Sequence, residues 1–324
     1  MSGIASEFRF KEGETNMDVF SNLMVIGECL LDGPRTRAFE RAIAKSVRPG
    51  DRVLDVGTGS GILAMFSARA GASHVTAIDI AADIAKFARM NVMNNGYGNV
   101  IDVLECDGKH MPARPDIDVI TMELMDTWLV AEQQAHALNG LHANGTIGAG
   151  TRLVPHRYQC LIELVEYDFS FYGFRMPFVI QARNHAVIRH VRRRLTPVHL
   201  ANDLCFDKPL SVEVDRRLSI PIDDDGLCNA AVLTARTFLT PESAIGGTSD
   251  MNMPVIVPLP ARQVRRGGVA TLRVSYTMGA GFSSFDLVWQ DALHENGDLR
   301  NQELRHDEKG ARLARSQRRD LRVS

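Results

Sequence analysis

The chain has 324 residues, 45% of them hydrophobic, enough for two hydrophobic cores by the usual relation of length to domain number. With 37 basic against 39 acidic residues the net charge is −2, and aromatics make up only 6%, so the sequence advertises neither a global field for nucleic acid or an anionic membrane nor a stacking platform for bases. The five cysteines, Cys29, Cys106, Cys160, Cys205 and Cys228, form no C-x-x-C pair and no zinc-type spacing with histidine, which predicts no metal site and a reduced, cytoplasmic setting.

In chain order, the first ten residues lack a basic stretch followed by an apolar one, and no uncharged apolar run reaches the roughly 18 residues needed to span a bilayer, so no membrane association is expected. From Arg52 to about Gly148 short β-branched runs alternate with helical patterns, the signature of βαβ units around a parallel sheet. Strands are predicted over Arg52–Val56, His74–Asp79, Val100–Glu105 and Ile117–Met122, with helices over Ile62–Ala70, Ala81–Asn94 and about Ala131–Leu141. The helix stops are Gly71, Asn94-Asn95-Gly96 and Asn144-Gly145.

After Val154-Pro155 the pattern becomes alternating, with strands predicted over Gln159–Tyr167, Ser211–Val214, Ala230–Thr237, Val255–Leu259, Thr271–Tyr276 and Phe285–Trp289. This half is read as mostly antiparallel sheet closing into a β-barrel. An Arg- and His-rich stretch from about Tyr172 to Asp207 reads as an excursion from that sheet, and 294–324 as a charged, solvated tail. Met24, Met65, Met90 and Met93 read as core filling. The basic cluster Arg183, His185, Arg189, His190, Arg192, Arg193 and Arg194 lacks interleaved aromatics and reads as a solvated arm or partner-facing patch, and Arg265-Arg266-Gly267-Gly268 as a hairpin turn.

Two features carry chemistry. The turn Gly57-Thr58-Gly59-Ser60-Gly61 leaves a strand and opens a helix, the place where backbone closes over a nucleotide-like ligand at the carboxyl edge of a parallel sheet. Ile62 stands where a dinucleotide fingerprint wants its third glycine, and no Gly-Lys-Ser/Thr follows, so neither the nicotinamide nor the P-loop pattern is met. Asp79, 22 positions after Gly57, ends the second strand where an acid accepts from ribose hydroxyls. Glu123 and Glu132, nine residues apart past the fourth strand, place two acids beside that turn and ask for a cation.

Together the G-x-G-x-G turn and the acid at the second strand's end resemble the adenosylmethionine site of class I methyltransferases. The pattern E-L-x-D-T-x-L-x-x-E from Glu123 to Glu132 resembles the double-glutamate loop of protein arginine methyltransferases, most closely the monomethylating branch. Upstream, Glu28-Cys-Leu-Leu-Asp-Gly-Pro-Arg-Thr36 resembles the family's cofactor-covering helix, whose D-x-x-R maps onto Asp32 and Arg35. The resemblance implies an α/β fold: a helical covering segment over 1–45, a Rossmann-like cofactor domain over 46–153, and a β-barrel substrate domain over 154–293 with a dimerisation arm about 172–207. It implies Glu123 and Glu132 as the catalytic clamp on a guanidinium, and S-adenosyl-L-methionine held by Arg35, Asp55, Gly57, Thr58, Gly59, Asp79, Ile80, Asp107, Gly108 and Glu123, with S-adenosyl-L-homocysteine as product. It also implies a homodimer and an arginine acceptor, free or in a peptide.

One departure bears on the acceptor. The family carries a Thr-His-Trp loop, whereas the equivalent stretch Gly247-Thr-Ser-Asp-Met-Asn-Met-Pro254 has Ser249 and Asp250 where His and Trp would stand. Asp250 joins Glu123 and Glu132 as a substrate-binding candidate, suited to an α-amino group. Two rival readings remain at this point: a catalytically weak cofactor-binding subunit, and a methyltransferase of another small cationic metabolite.

Overall fold

The computed structural model describes residues 22–290; the expected tail over 294–324 and the start of the N-terminal segment lie outside them. Helix α1 (Leu23–Leu31) is capped by the Asn22 side chain, which accepts from Met24 N at 2.8 Å. It stops at Asp32, which in turn caps α2 (Gly33–Ser46), its carboxylate accepting from Arg35 N at 3.2 Å ahead of a proline in the first turn. One acid thus sets the angle between the two helices.

Strands β1 (Arg52–Val56), β2 (His74–Asp79), β3 (Ile101–Glu105), β4 (Val119–Met122) and β5 (Arg152–Val154) form a parallel sheet in the order β3-β2-β1-β4-β5. Helices α3 (Ile62–Arg69), α4 (Ala82–Asn94) and α5 (Gln134–Ala143) connect them. Val53, Leu54, Val75 and Val119 are fully buried, as strands covered on both faces require. The chain winds from β1 outward through β2 to β3, then returns to the other side of β1 as β4. Hence the loops after β1 and β4 lie side by side at the sheet's carboxyl edge, the switch point where ligands bind. This is the Rossmann-like arrangement expected, with element ends moved by up to three residues and a fifth strand, β5, that is not among the four predicted.

The remaining strands are β6 (Arg157–Tyr167), β7 (Ser170–Phe171), β8 (Phe174–Arg175), β9 (Ile180–Gln181), β10 (Val191–Arg194), β11 (His199–Cys205), β12 (Glu213–Pro221), β13 (Gly226–Thr240), β14 (Ser243–Ile245), β15 (Val255–Val264), β16 (Val269–Thr277) and β17 (Asp286–Trp289). Among them the pairs β6–β10, β6–β11, β6–β13, β13–β14, β13–β15, β9–β15, β12–β16 and β7–β8 are antiparallel. One sheet runs β10-β6-β13-β15-β9, with β11 also on β6 and β14 on β13; a second runs β12-β16-β17. Arg265–Gly268 is a tight turn, closed by Gly268 N donating to Arg265 O at 3.0 Å, but not the hairpin expected, because β15 and β16 lie in different sheets.

Three further expectations need correction. Much of the stretch expected to leave the sheet, 172–207, belongs to it: β9, β10 and β11 pair with β15 and β6, and Val187, Ile180 and Val191 pack on a core of Val165, Tyr167, Val232 and Ile256. The β7–β8 hairpin carries apolar side chains outward, Tyr172 at 99% exposure and Phe174 at 71%, and Met176, Phe178, Val179, Val198 and Leu200 are exposed as well. The basic cluster is not a free patch, because Arg192 pairs with Asp168 at 2.8 Å, Arg194 with Glu163, and Arg183 with Glu28 and Asp250. Met24, Met90 and Met93 lie on outward helix faces and are exposed rather than core filling.

Helix α5 touches the loop after β3 through Gly140, where a Cβ would stand 2.5 Å from Lys109 O and 2.8 Å from Lys109 Cα. These are backbone atoms that cannot swing aside, so Gly140→Ala is expected to cost about 1–3 kcal/mol by overpacking. The measurement is the urea midpoint at unchanged m-value; an unaltered midpoint would mean that the helix and loop are not held this close.

Candidate functional site

The turn after β1 is built on left-handed backbone. Gly57 has φ +70°, and a Cβ there would stand 2.3 Å from Leu124 Cδ2 in the loop after β4, so the residue keeps the two loops in contact. Thr58 N donates to Ile78 O at 2.9 Å, and Gly59 N donates to Asp79 Oδ2 at 3.0 Å. The other oxygen of Asp79 accepts from Ala81 N at 3.1 Å, so this one acid ties the turn to the start of α4. Burial holds its carboxyl above the ordinary range despite these donors.

Asp55 is placed differently from expectation. It is fully buried behind the turn, Oδ1 accepting from Thr121 Oγ1 and Oδ2 from Thr58 Oγ1, both at 2.6 Å, and it does not line the cavity. Its position on β1, paired in register with Thr121 of β4, directs it into the sheet's connection with its neighbour rather than toward a ligand.

The loop carrying the two glutamates is fixed at three points. Gln134, fully buried, donates from Nε2 to Met122 O at 3.3 Å and accepts from Leu124 N at 2.9 Å, which brackets Glu123. Asp126 accepts from Ala131 N at 3.0 Å and from Glu132 N at 3.1 Å, which sets the backbone of the second glutamate. Between them Trp128 and Leu129 are left-handed, at φ 66° and 57°. Such residues cost roughly 1–3 kcal/mol each and persist only where the surroundings hold them. Here Trp128 N donates to Tyr158 Oη at 2.9 Å, Tyr276 Oη donates to Trp128 O at 3.0 Å, and Trp128 Nε1 donates to Thr234 O at 2.9 Å. The antiparallel sheet therefore grips the loop.

The charges balance as follows. Glu123, 9% exposed, pairs with the Nη2 group of Arg35. Arg35 Nη1 donates to Cys29 O at 2.8 Å, and its Nε is buried with no partner, a donor left for an anionic ligand. The Glu132 carboxyl is held well above its usual range, first by burial, then by the charges of Glu123 and Asp126, with Arg35 opposing. Burial pushes Asp126 up to about 6 and the Cys29 thiol up to about 12, so Cys29 is no nucleophile.

Asp32 joins the N-terminal helices to the loop after β14. Its Oδ2 accepts from Thr248 Oγ1 and, at 3.1 Å, from Asp250 N. Asp250 Oδ1 lies 3.2 Å from Arg183 Nε, and Arg183 also pairs with Glu28. One cavity of about 180 Å³ is lined by Arg35, Gly57, Thr58, Gly59, Asp79, Ile80, Asp107, Gly108, Glu123, Glu132 and Asp250, and by Ile26 and Leu30 of α1. All the sequence candidates except Asp55 thus meet in one place. Sequence reasoning gave no role to Asp126, Gln134, Tyr158, Glu28 or Arg183. Asp126 stands inside the quoted acid pattern, Gln134 two residues past it and Glu28 at the head of the quoted covering segment, whereas Tyr158 and Arg183 are distant in sequence and leave no local signal. Among the described residues no cluster of His, Cys, Asp and Glu could hold a metal, and no helix is long and apolar enough to cross a membrane.

The buried Asp55 makes a pH prediction. Its carboxyl is pushed from 3.8 up to about 6 by burial. Between those values the folded chain keeps a proton that the unfolded chain has released, so this group lowers stability as pH rises, by about 3 kcal/mol in all. In Asp55→Asn the fall in urea-unfolding free energy from pH 4 to pH 7 should shrink by about that amount; an unchanged pH slope would show that Asp55 does not titrate there.

Residues 34–160 match the family model described as ribosomal protein L11 methyltransferase (PrmA). An uncharacterised protein of Methanocaldococcus jannaschii is 28% identical over 255 residues, 79% of this chain and 92% of its own length. Protein arginine N-methyltransferase 2 of Dictyostelium discoideum is 31% identical over 164 residues, 50% of this chain but only 31% of that protein. Among solved structures, the Trypanosoma brucei PRMT1 enzyme-prozyme heterotetrameric complex with AdoHcy superimposes with a TM-score of 0.68 at 18% identity, covering 86% of this chain and 96% of that one. That likeness shows the fold, a parallel α/β half followed by a β-barrel-like half. With the glycine turn, the paired glutamates and the covering helix assembled in one cavity, the chain is similar over half of its length to protein arginine N-methyltransferases and shares their overall fold.

Proposed function

We propose that the chain transfers one methyl group from S-adenosyl-L-methionine to a guanidino nitrogen of arginine, free or peptidyl. The observation that carries this is the convergence of Glu123 and Glu132, on one rigid loop, with the Gly57–Asp79 cradle in one cavity. Gly57, Thr58 and Gly59 offer backbone to the methionine portion, Asp79 retains lone pairs for ribose hydroxyls, and the loop Cys106-Asp107-Gly108 meets the base. The unpartnered Arg35 Nε suits a carboxylate. When bound, the cofactor supplies an electrophilic methyl group on a sulfonium.

The protein's task is the nucleophile. A guanidinium stays protonated and its nitrogen lone pairs are delocalised into the cationic π system, so it reacts poorly unaided. Glu123 and Glu132 can each accept charge-assisted hydrogen bonds from it, drawing positive charge toward two nitrogens and leaving electron density on the third. They also screen two cations that would repel by about 4 kcal/mol at 4 Å for an effective dielectric near 20. Arg35 holds Glu123, and Asp126 orients Glu132 through its backbone. Residues 46–153 are read as the cofactor domain and 154–293 as the acceptor domain. A homodimer through the outward β7–β8 hairpin, with its exposed Tyr172 and Phe174, is part of the same proposal.

Glu132→Gln should lower kcat/KM by about 10²–10³, the scale for losing one electrostatic stabiliser, while calorimetric binding of S-adenosyl-L-homocysteine is retained. Near-normal turnover would sink the assignment. Because Glu132 binds its proton too tightly in the free protein, kcat/KM should rise with pH through an ionisation above the ordinary carboxylate range, a limb that the Gln variant lacks. Mass spectrometry of the product decides between one methyl group and more.

A further inference from the structure

The cavity carries a charged pair that the methyl-transfer chemistry does not use. Asp250 lines the cavity and its side chain is nearly enclosed, at 13% exposure. Three contacts fix it: its backbone N–H donates to Asp32 Oδ2 at 3.1 Å, its Oδ2 accepts from Ser249 Oγ at 3.1 Å, and its Oδ1 lies 3.2 Å from Arg183 Nε. Arg183 is anchored again by Glu28 through Nη2, yet its side chain is half exposed. A guanidinium has five N–H donors in a rigid fork, so two anchoring contacts leave donors unspent on the open side.

A fixed carboxylate that lines the cavity holding Glu123 and Glu132 thus has a fixed, half-exposed guanidinium in contact behind it, minus and plus side by side. The head group of a free α-amino acid has the matching order, an ammonium and a carboxylate on one carbon. An arginine inside a polypeptide has neither charge there, and its neutral amides make weaker hydrogen bonds to charged partners than an ammonium and a carboxylate do. We propose that Asp250 and Arg183 form a subsite for the α-ammonium and α-carboxylate of a free amino acid, so that the acceptor is L-arginine or a similar α-amino-acid guanidine. This rests on the arginine-methylating reading of the Glu123–Glu132 pair and names the acceptor class of that site.

The test uses the full chain with S-adenosyl-L-homocysteine present and reads binding by calorimetry, so that it does not depend on turnover. L-Arginine should bind at least tenfold more tightly than L-argininamide, which lacks the carboxylate, and more tightly still than Nα-acetyl-L-argininamide, which lacks both charges. Arg183→Ala should abolish the preference for arginine over argininamide, and Arg183→Lys should restore part of it. Asp250→Asn should weaken arginine and argininamide alike and leave the acetylated amide unchanged. Equal binding of the three ligands by the unaltered chain, or an Arg183→Ala chain that keeps the preference, would overturn the subsite. A parallel turnover assay with labelled adenosylmethionine reports separately on the reaction: selective arginine binding without methyl transfer would sink the proposed activity and leave the subsite standing.

Discussion

Two carboxylates that repel one another must be held within reach of one cation, and the rest of this structure is arranged around that constraint. Glu123 and Glu132 leave a single short loop, and that loop takes a shape that its own residues do not favour, with Trp128 and Leu129 both left-handed. What holds it is the antiparallel half of the chain. Tyr158 and Tyr276 bond the Trp128 backbone, and its indole is spent on Thr234. The two halves are therefore not a catalytic module with an attachment. The second half fixes the shape of the acid loop, and the first half brings the glycine turn against it.

A second consequence concerns neutralisation. Burial raises the free energy of each carboxylate, and proximity raises it further. Glu123 is paired with Arg35, while Glu132 is desolvated and Arg35 offsets only part of the effect of the Glu123 and Asp126 charges. The cavity thus has one acid already paired and one with an unmet demand for positive charge. A cation would meet that demand, a physical requirement that does not rest on resemblance.

Asp32 shows how a short motif can be read correctly in place and incompletely in role. Its neighbour Arg35, to which the D-x-x-R resemblance gives the cofactor's carboxylate, reaches Glu123, and Asp32 itself faces the Thr248–Asp250 loop and locks the covering helices to it. Asp55 is the converse case. It lies two residues before Gly57, yet strand alternation and its register with Thr121 send its carboxylate away from the cavity. Arg183, which reads in sequence as one member of a basic run, becomes a neighbour of Asp250 only because β9 pairs with β15 and brings the following turn across.

Residue order by itself determined the parallel sheet, the glycine turn, Asp79 and the two glutamates, because each of these is a local matter of periodicity, backbone freedom or fixed spacing on one strand end. It determined the antiparallel half too, though not that 180–205 lies within the sheet, since short strands in a polar stretch carry little alternation. Tertiary structure decided what the spacing could not: that Asp55 is enclosed, that Asp126, Gln134, Tyr158 and Tyr276 shape the acid loop, and that Glu28, Arg183 and Asp250 meet. The reason is range. A strand end aims its own side chains, but a buried hydrogen bond or ion pair between residues far apart in the chain exists only once the sheets have packed.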